Sequence, residues 1–257
     1  MVNKWIKRIY TAMMFIFLYA PIAVLIVFSF NDSKSTAKWE GFTFEWYQAL
    51  FDNSYIMKSL YYTILVALVS AALATLIGTF AAFGIYYMKV WKQKLVLNVN
   101  SIPMLNPDIV TGVSLMTLFV AMNIQLGLMT MIIAHVTFNI PYVVLSVLPK
   151  FRQMPGELME AALDLGATPW YAFKKVILPE IKPGIITGAL IAFTLSIDDF
   201  VISFFTTGSG VSNLSIAIYS MARRGIKPEI NALSTLMFGS VLVLLLIINK
   251  RTKIEDI

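Results

Sequence analysis

Apolar residues run in long blocks along this chain, and charged residues collect in the gaps between them. A helix rises about 1.5 Å per residue and the hydrocarbon core of a bilayer is about 30 Å thick, so a spanning helix needs about 20 apolar residues. Six stretches have that length, at roughly 9–30, 59–88, 95–121, 127–149, 184–206 and 231–249. The pattern predicts an all-α integral membrane protein of six transmembrane helices, a single domain over 1–257. In the second stretch Ser70, Ala74, Gly78 and Ala82 recur every four residues, a small-residue stripe suited to close helix packing. Lys4, Lys7 and Arg8 precede the first stretch as they would in a signal peptide. Without a small-x-small site, and at about 22 residues, it reads as an uncleaved anchor.

The polar loop 150–183 contains EAALDLGATPWYAFKKVILPEIK and has its own order. Pro155-Gly156 opens a turn. Leu158, Ala161, Ala162 and Leu165 fall at i, i+3, i+4 and i+7 on one face of a short helix, with Glu157, Glu160 and Asp164 on the other. Gly166 suits the left-handed position that ends a helix. Thr168-Pro169 restarts one, with Thr168 as N-cap, and Pro179 is read as its stop before Pro183-Gly184 leads into span five. The loop is thus two short helices at an angle, shaped to dock in a cleft of another protein. The alternative, an amphipathic helix resting on lipid, is disfavoured by acids facing anionic headgroups.

Composition agrees with the pattern. The chain is 58% hydrophobic and 13% charged, whereas soluble domains carry about 25% charged residues. No cysteine and one histidine, His135, remove disulfide, thiolate and most histidine-based chemistry. His135, in the middle of span four, is expected to bond to a neighbouring helix, with Asn139 and Pro141 kinking the span beside it. The net charge of +6 reflects lysines in cytoplasmic loops, with no call for a nucleic acid. With a cytoplasmic N-terminus, fourteen of the basic residues lie on the inner side, in the N-terminal segment, around 89–94, in 150–182 and at the C-terminus. Six lie outside: Lys34, Lys38, Lys58, Arg223, Arg224 and Lys227. Both termini and the polar loop therefore face the cytoplasm.

Three of the fourteen acids fall inside spans: Asp108, Asp198 and Asp199. Each costs roughly 2.5–3.5 kcal/mol at a helix centre on insertion scales. Asp108 follows the proline-broken SIPMLNPD, and unwound backbone at that depth is tolerated only in protein or along a water-filled cavity. No basic residue of the chain stands at these depths, which points to a cationic substrate as partner. Other roles stay open: pairing with a basic residue of a second subunit, helix capping (Asp108 after Pro107 above all), or passage of a divalent metal. Adjacent aspartates point about 100° apart on a helix, so one of Asp198 and Asp199 would face a path.

Glu160-Ala161-Ala162, Gly166 and Ile177-Leu178-Pro179 resemble the EAA loop of ABC-importer permeases, at the same spacing and before the penultimate span. The resemblance covers essentially the whole chain and implies the type I importer fold. There this loop is a coupling helix on a nucleotide-binding ATPase, which implies Glu160, Ala161, Ala162 and Gly166 as ATPase-facing. No G-x4-G-K-[ST] occurs, so no cofactor is expected in this chain; ATP and Mg2+ would be bound by the partner ATPase. FTLSIDDFVISFFTTG, NPDIVTGVSLMTLF, HVTFNIPYVV and GFTFEWYQALF resemble the spermidine/putrescine permease family.

That resemblance implies a polyamine substrate at Asp108, Asp198 and Asp199. Ser196 is placed to bond an ammonium or its own helix, and Trp46 to supply an aromatic face or an interfacial anchor. It further implies a second permease subunit, a different chain in a heterodimer or another copy of this one, two ATPase copies, a periplasmic or lipid-anchored solute-binding protein meeting the outer loops, and the plasma (inner) membrane of a prokaryote. The competing readings are a family permease for another solute, such as ferric ion or thiamine, and a secondary transporter or channel.

Overall fold

The structure, a computed structural model, describes residues 4–33, 38–224 and 228–255, with side chains undescribed at 224, 241 and from 244 onward. Lys34 and Lys227 of the charge argument lie outside the described residues, as do the side chains of Arg224, Lys250, Arg251 and Lys253. The described residues form helices and no strand beyond a single bridge, Asn31 to Phe42. They divide into two compact units, 1–58 with 217–257, and 59–216.

The first unit holds α1 (Lys4–Phe28), α2 (Glu45–Asp52), the start of α3 (Ser54–Tyr86), most of α11 (Leu214–Arg224) and α12 (Pro228–Glu255). α1 packs on α12, and α12 on α2. No residue of α1 is buried in the chain although the helix is apolar all round, the signature of a helix that faces lipid or another subunit. The turn after α1 is pinned by Asn31, whose side chain donates to Lys38 O at 2.8 Å and accepts from Glu40 N at 2.9 Å.

The second unit contains the rest of α3, then α4 (Val90–Leu105), α5 (Asp108–Ala121), α6 (Leu128–Gln153), α7 (Leu158–Asp164), α8 (Pro169–Ala172), a π turn (Phe173–Ile177), α9 (Leu178–Asp198) and α10 (Val201–Thr206). α6 is its hub and packs on α4, α5, α9 and α10. Val143, Val144, Val147 and Phe151 of α6 are fully buried against Ala74 and Ala82 of α3 and Ile177 and Ile181 of the π turn and α9. Ser70, Ala74, Gly78 and Ala82 are all buried, the packing role expected of the stripe. Gly184 lets α9 close on α6: a Cβ there would stand 2.8 Å from Ser146 O and 3.2 Å from Val147 Cα.

Among the described residues four helices are long and apolar enough to cross a membrane: Lys4–Phe28, Ser54–Tyr86, Leu128–Gln153 and the continuous Pro169–Asp198. A fifth results if α4 and α5 count as one span, but they meet at 104°. The span expected over 95–121, broken at SIPMLNPD, is thus a bent pair. Pro107 forces Asn106 into an extended conformation (φ −79°, ψ 145°), which ends α4; Pro103, one turn earlier, stays inside the helix. The expected sixth span, 231–249, lies within α12, and its side chains from 244 are outside the described residues.

Two expectations need correction. Pro179 does not stop a helix. The π turn ahead of it, closed by Leu178 N to Phe173 O, widens the backbone where the proline ring would press on the preceding turn, and α9 runs on through Pro183. Span five also does not reach Thr206 unbroken; α9 ends at Asp198 and α10 restarts at Val201.

Candidate functional site: two broken helices and a groove in loop 150–183

The break in span five is built by Asp199. Its backbone is extended (φ −62°, ψ 124°), and its carboxylate accepts from Ile202 N at 3.2 Å and Ser203 N at 2.7 Å, capping α10. Asn213 donates to Asp199 O at 2.9 Å and to Ser203 Oγ at 2.7 Å. His135 Nε2 stands 3.4 Å from Asp199 Oδ2. The expectation that the span-five acids lack a basic partner within the chain is therefore corrected for Asp199. The histidine that meets it lies 64 positions away, beyond the reach of any spacing rule. His135 does bond across helices, as its lone position in span four suggested.

Asp198 and Asp108 are different. Both are exposed, and neither carboxylate has a hydrogen bond or ion pair to another described residue. Asp198 is the last residue of α9. Asp108 is the first of α5, where the free N–H groups of the helix start favour a negative charge; it makes no capping bond, so the N-cap reading is corrected to a first-turn position. α5 packs on α10 at Gly112, within contact distance of Val201 O and Ile202 Cα. Asp108 stands four residues before Gly112 and Asp198 four before Ile202, so one contact ties the two breaks together. Two unpaired carboxylates held in this way can bind ammonium groups by charge-assisted hydrogen bonds.

Ser196 and Trp46 are placed otherwise than expected. Ser196 is buried, accepts from Asn139 Nδ2 at 2.8 Å and lies 3.1 Å from Ser70 Oγ, so its hydroxyl joins three helices and neither bonds its own helix nor faces the carboxylates. Trp46 is 8% exposed and donates from Nε1 to Asn31 O at 2.7 Å, which makes it an anchor of the first unit with little ring face to offer. Aromatic surface beside Asp198 comes from residues the sequence reading passed over. The Phe200 and Phe204 rings lie 5.4 Å apart and tilted by 35°, with Phe204 half exposed. Tyr142 of α6 packs on the cluster of Phe119, Ala134, Phe138 and Ile202, its hydroxyl within electrostatic reach of Asp108. The run DDFVISFF held the signal for the first two.

The short helices of loop 150–183 form a second feature. Gly166 has φ +84°, donates to Leu163 O at 2.9 Å, and Ala167 donates to Ala162 O at 3.1 Å, the paired bonds that close a helix with a left-handed glycine. Thr168 Oγ1 accepts from Tyr171 N at 3.3 Å to cap α8. Glu160 and Ala161 are exposed, while Ala162 packs inward. The predicted apolar face is corrected at Leu165: α7 ends at Asp164, so Leu165 leaves the helical register and is 90% exposed. It lines an open groove of about 530 Å³ with Ala162, Gly166, Ala167, Thr168, Tyr171 and Val176. Behind the groove, Trp170 stacks on Phe173 at 5.8 Å, and Phe173 meets Phe83 of α3 at 5.3 Å, Phe83 in turn meeting Phe151 of α6 at 5.8 Å. The loop is thereby wedged into two membrane helices.

This architecture has known relatives. Residues 74–250 match the binding-protein-dependent transport system inner membrane component family, and the chain belongs to that family of non-catalytic transport subunits. Within it, the chain is similar to the spermidine/putrescine transport system permease protein PotC of Escherichia coli (strain K12), 37% identical over 246 residues, 96% of this chain and 93% of that protein. It is also similar to the putrescine transport system permease protein PotI of the same organism, 38% identical over 234 residues, 88% of this chain and 83% of that one. Among solved structures, a bacterial ABC transporter involved in the import of the acidic polysaccharide alginate shares the fold, with a TM-score of 0.72 at 11% identity over 96% of this chain and 94% of that one.

Proposed function

We propose that this chain is one membrane-spanning permease subunit of an ATP-driven polyamine importer, taking up spermidine or putrescine delivered by an external binding protein. The observation that carries the reading is the pair of unpaired intramembrane carboxylates, Asp108 and Asp198, each at a helix break. Unpaired charge at membrane depth needs a cation, and a polyamine offers ammonium groups joined by methylenes, to which Phe200, Phe204 and Tyr142 add aromatic faces. The likeness to PotC and PotI supports the same solute class. Asp199, occupied with the cap of α10, serves structure in this reading, as Ser196 and Trp46 do.

The whole chain acts as one permease domain of the type I importer fold, its six spans comprising the four straight helices, the bent α4–α5 pair and α12. It sits in the plasma (inner) membrane of a prokaryote with both termini cytoplasmic, beside a second and different permease. Glu160, Ala161, Ala162 and Gly166 form the EAA coupling helix on one of two ATPase copies, which hold the ATP and Mg2+. Leu165 is its apolar knob. ATPase closure pushes this helix, and the Phe173–Phe83–Phe151 contacts pass the movement to α3 and α6. Differential contact with the two ATPase states drives alternating access.

The test is accumulation of labelled spermidine in proteoliposomes holding the assembled transporter, with and without the ATPase. Uptake that needs the ATPase and ATP and is competed by putrescine supports the reading. Uptake without the ATPase, or competition by ferric ion or thiamine and not by putrescine, refutes it.

A further inference from the structure

His135 is 1% exposed in the middle of α6, and both ring nitrogens are engaged. Nδ1 lies 2.8 Å from Met131 O, and since a carbonyl only accepts, Nδ1 carries a proton there. Nε2 faces Asp199 Oδ2 and Ser203 Oγ, each at 3.4 Å, and bonds the carboxylate by donating a second ring proton. The same Oδ2 takes the Ser203 N–H at 2.7 Å. Asn213 closes the cluster from the other side, through Asp199 O and Ser203 Oγ. Imidazole, carboxylate and the first turn of α10 thus form one buried body. Asp198, the last residue of α9, is joined to it by a single peptide bond, and the extended backbone at Asp199 sets how α10 leaves α9 and so how Asp198 stands against α10.

We propose that His135 is a positioning residue for transport: acting through Asp199, it holds the break in span five so that Asp198 meets the cationic substrate. This rests on the reading of Asp198 as substrate-binding. The imidazole does not touch substrate; it is sealed behind Asp199, whose side chain is itself only 9% exposed. Its effect is on aim. Without the Nε2 contact Asp199 loses its tether to α6, the cap on α10 loosens, and Asp198 samples other directions.

The experiment is a double-mutant cycle in the reconstituted transporter, with equal assembled complex confirmed by co-purified ATPase. The variants are His135→Asn, His135→Gln, Asp198→Asn and the double His135→Asn/Asp198→Asn. An asparagine amide reaches the place of Nδ1 but not that of Nε2, and a glutamine amide reaches Nε2, so both keep a polar group in the site. Glutamine is expected to hold KM for spermidine within about twofold, whereas asparagine raises it about tenfold, the worth of one hydrogen bond to a charged group, with little change in maximal rate. The double variant should be no worse than Asp198→Asn alone, because His135 works through Asp198. If His135→Asn does not assemble, Asp199→Asn breaks the same contact from the other side and takes its place in the cycle. A wild-type KM in His135→Asn, equal impairment by Gln and Asn, or effects that multiply in the double variant overturns the proposal. Should Asp198→Asn itself keep a wild-type KM, the substrate reading falls and this role falls with it; a raised KM there with multiplied effects removes His135 alone.

Discussion

Replacing Leu165 with alanine isolates the docking step from the stability of the subunit. Leu165 is 90% exposed, so its truncation removes almost no surface buried on folding. If it enters an apolar cleft of the ATPase, its burial there contributes 1.5–3 kcal/mol, and losing about 2 kcal/mol weakens docking about 30-fold. The acids around it, Glu157, Glu160 and Asp164, stay in place to steer the encounter. The assay is titration of purified ATPase onto the permease complex in nanodiscs, with thermal unfolding of the permease as control. An unchanged melting temperature with an affinity loss of that order is the expected pair. Wild-type affinity would show that the knob points into solvent or lipid and that the groove of α7 and α8 is not the docking face. A fall in melting temperature would refute the premise that Leu165 is unpacked.

Gly184→Leu should reduce the amount of folded subunit, since even a Cβ there stands 2.8 Å from Ser146 O on α6, and overpacking costs about 1–3 kcal/mol; the yield of monodisperse protein in detergent checks it. Trp46→Phe keeps an aromatic ring but removes the donor to Asn31 O, a loss of about 0.5–1.5 kcal/mol, and should lower the melting temperature while leaving KM for spermidine unchanged. A raised KM at wild-type stability would return Trp46 to the substrate path.

The parts legible in the sequence were those set by local chemistry. The left-handed turn at Gly166 and the Thr168-Pro169 restart depend on neighbours within five residues, and both stand as read. The small-residue stripe of α3 was legible because helical period alone places it on one face. What escaped was decided across the fold. Nothing near Asp199 in the chain indicates that His135 waits for it, nor that Ser196 would be taken up by Asn139 and Ser70. Pro179 misled for a subtler reason: a proline's missing N–H and bulky ring break an α-turn, but a π turn just ahead accommodates them. Leu165 misled because i+7 periodicity holds only while the helix lasts, and this one ends a residue sooner.

The proposed function turns on Asp108 and Asp198 being left unpaired for a cationic substrate. Its most direct test is the KM for labelled spermidine uptake by the Asp108→Asn/Asp198→Asn transporter, at membrane and ATPase content equal to wild type. Each lost charge-assisted bond contributes 1.5–3 kcal/mol, so KM should rise at least about 100-fold or uptake become undetectable. A KM equal to that of the wild type would contradict the account.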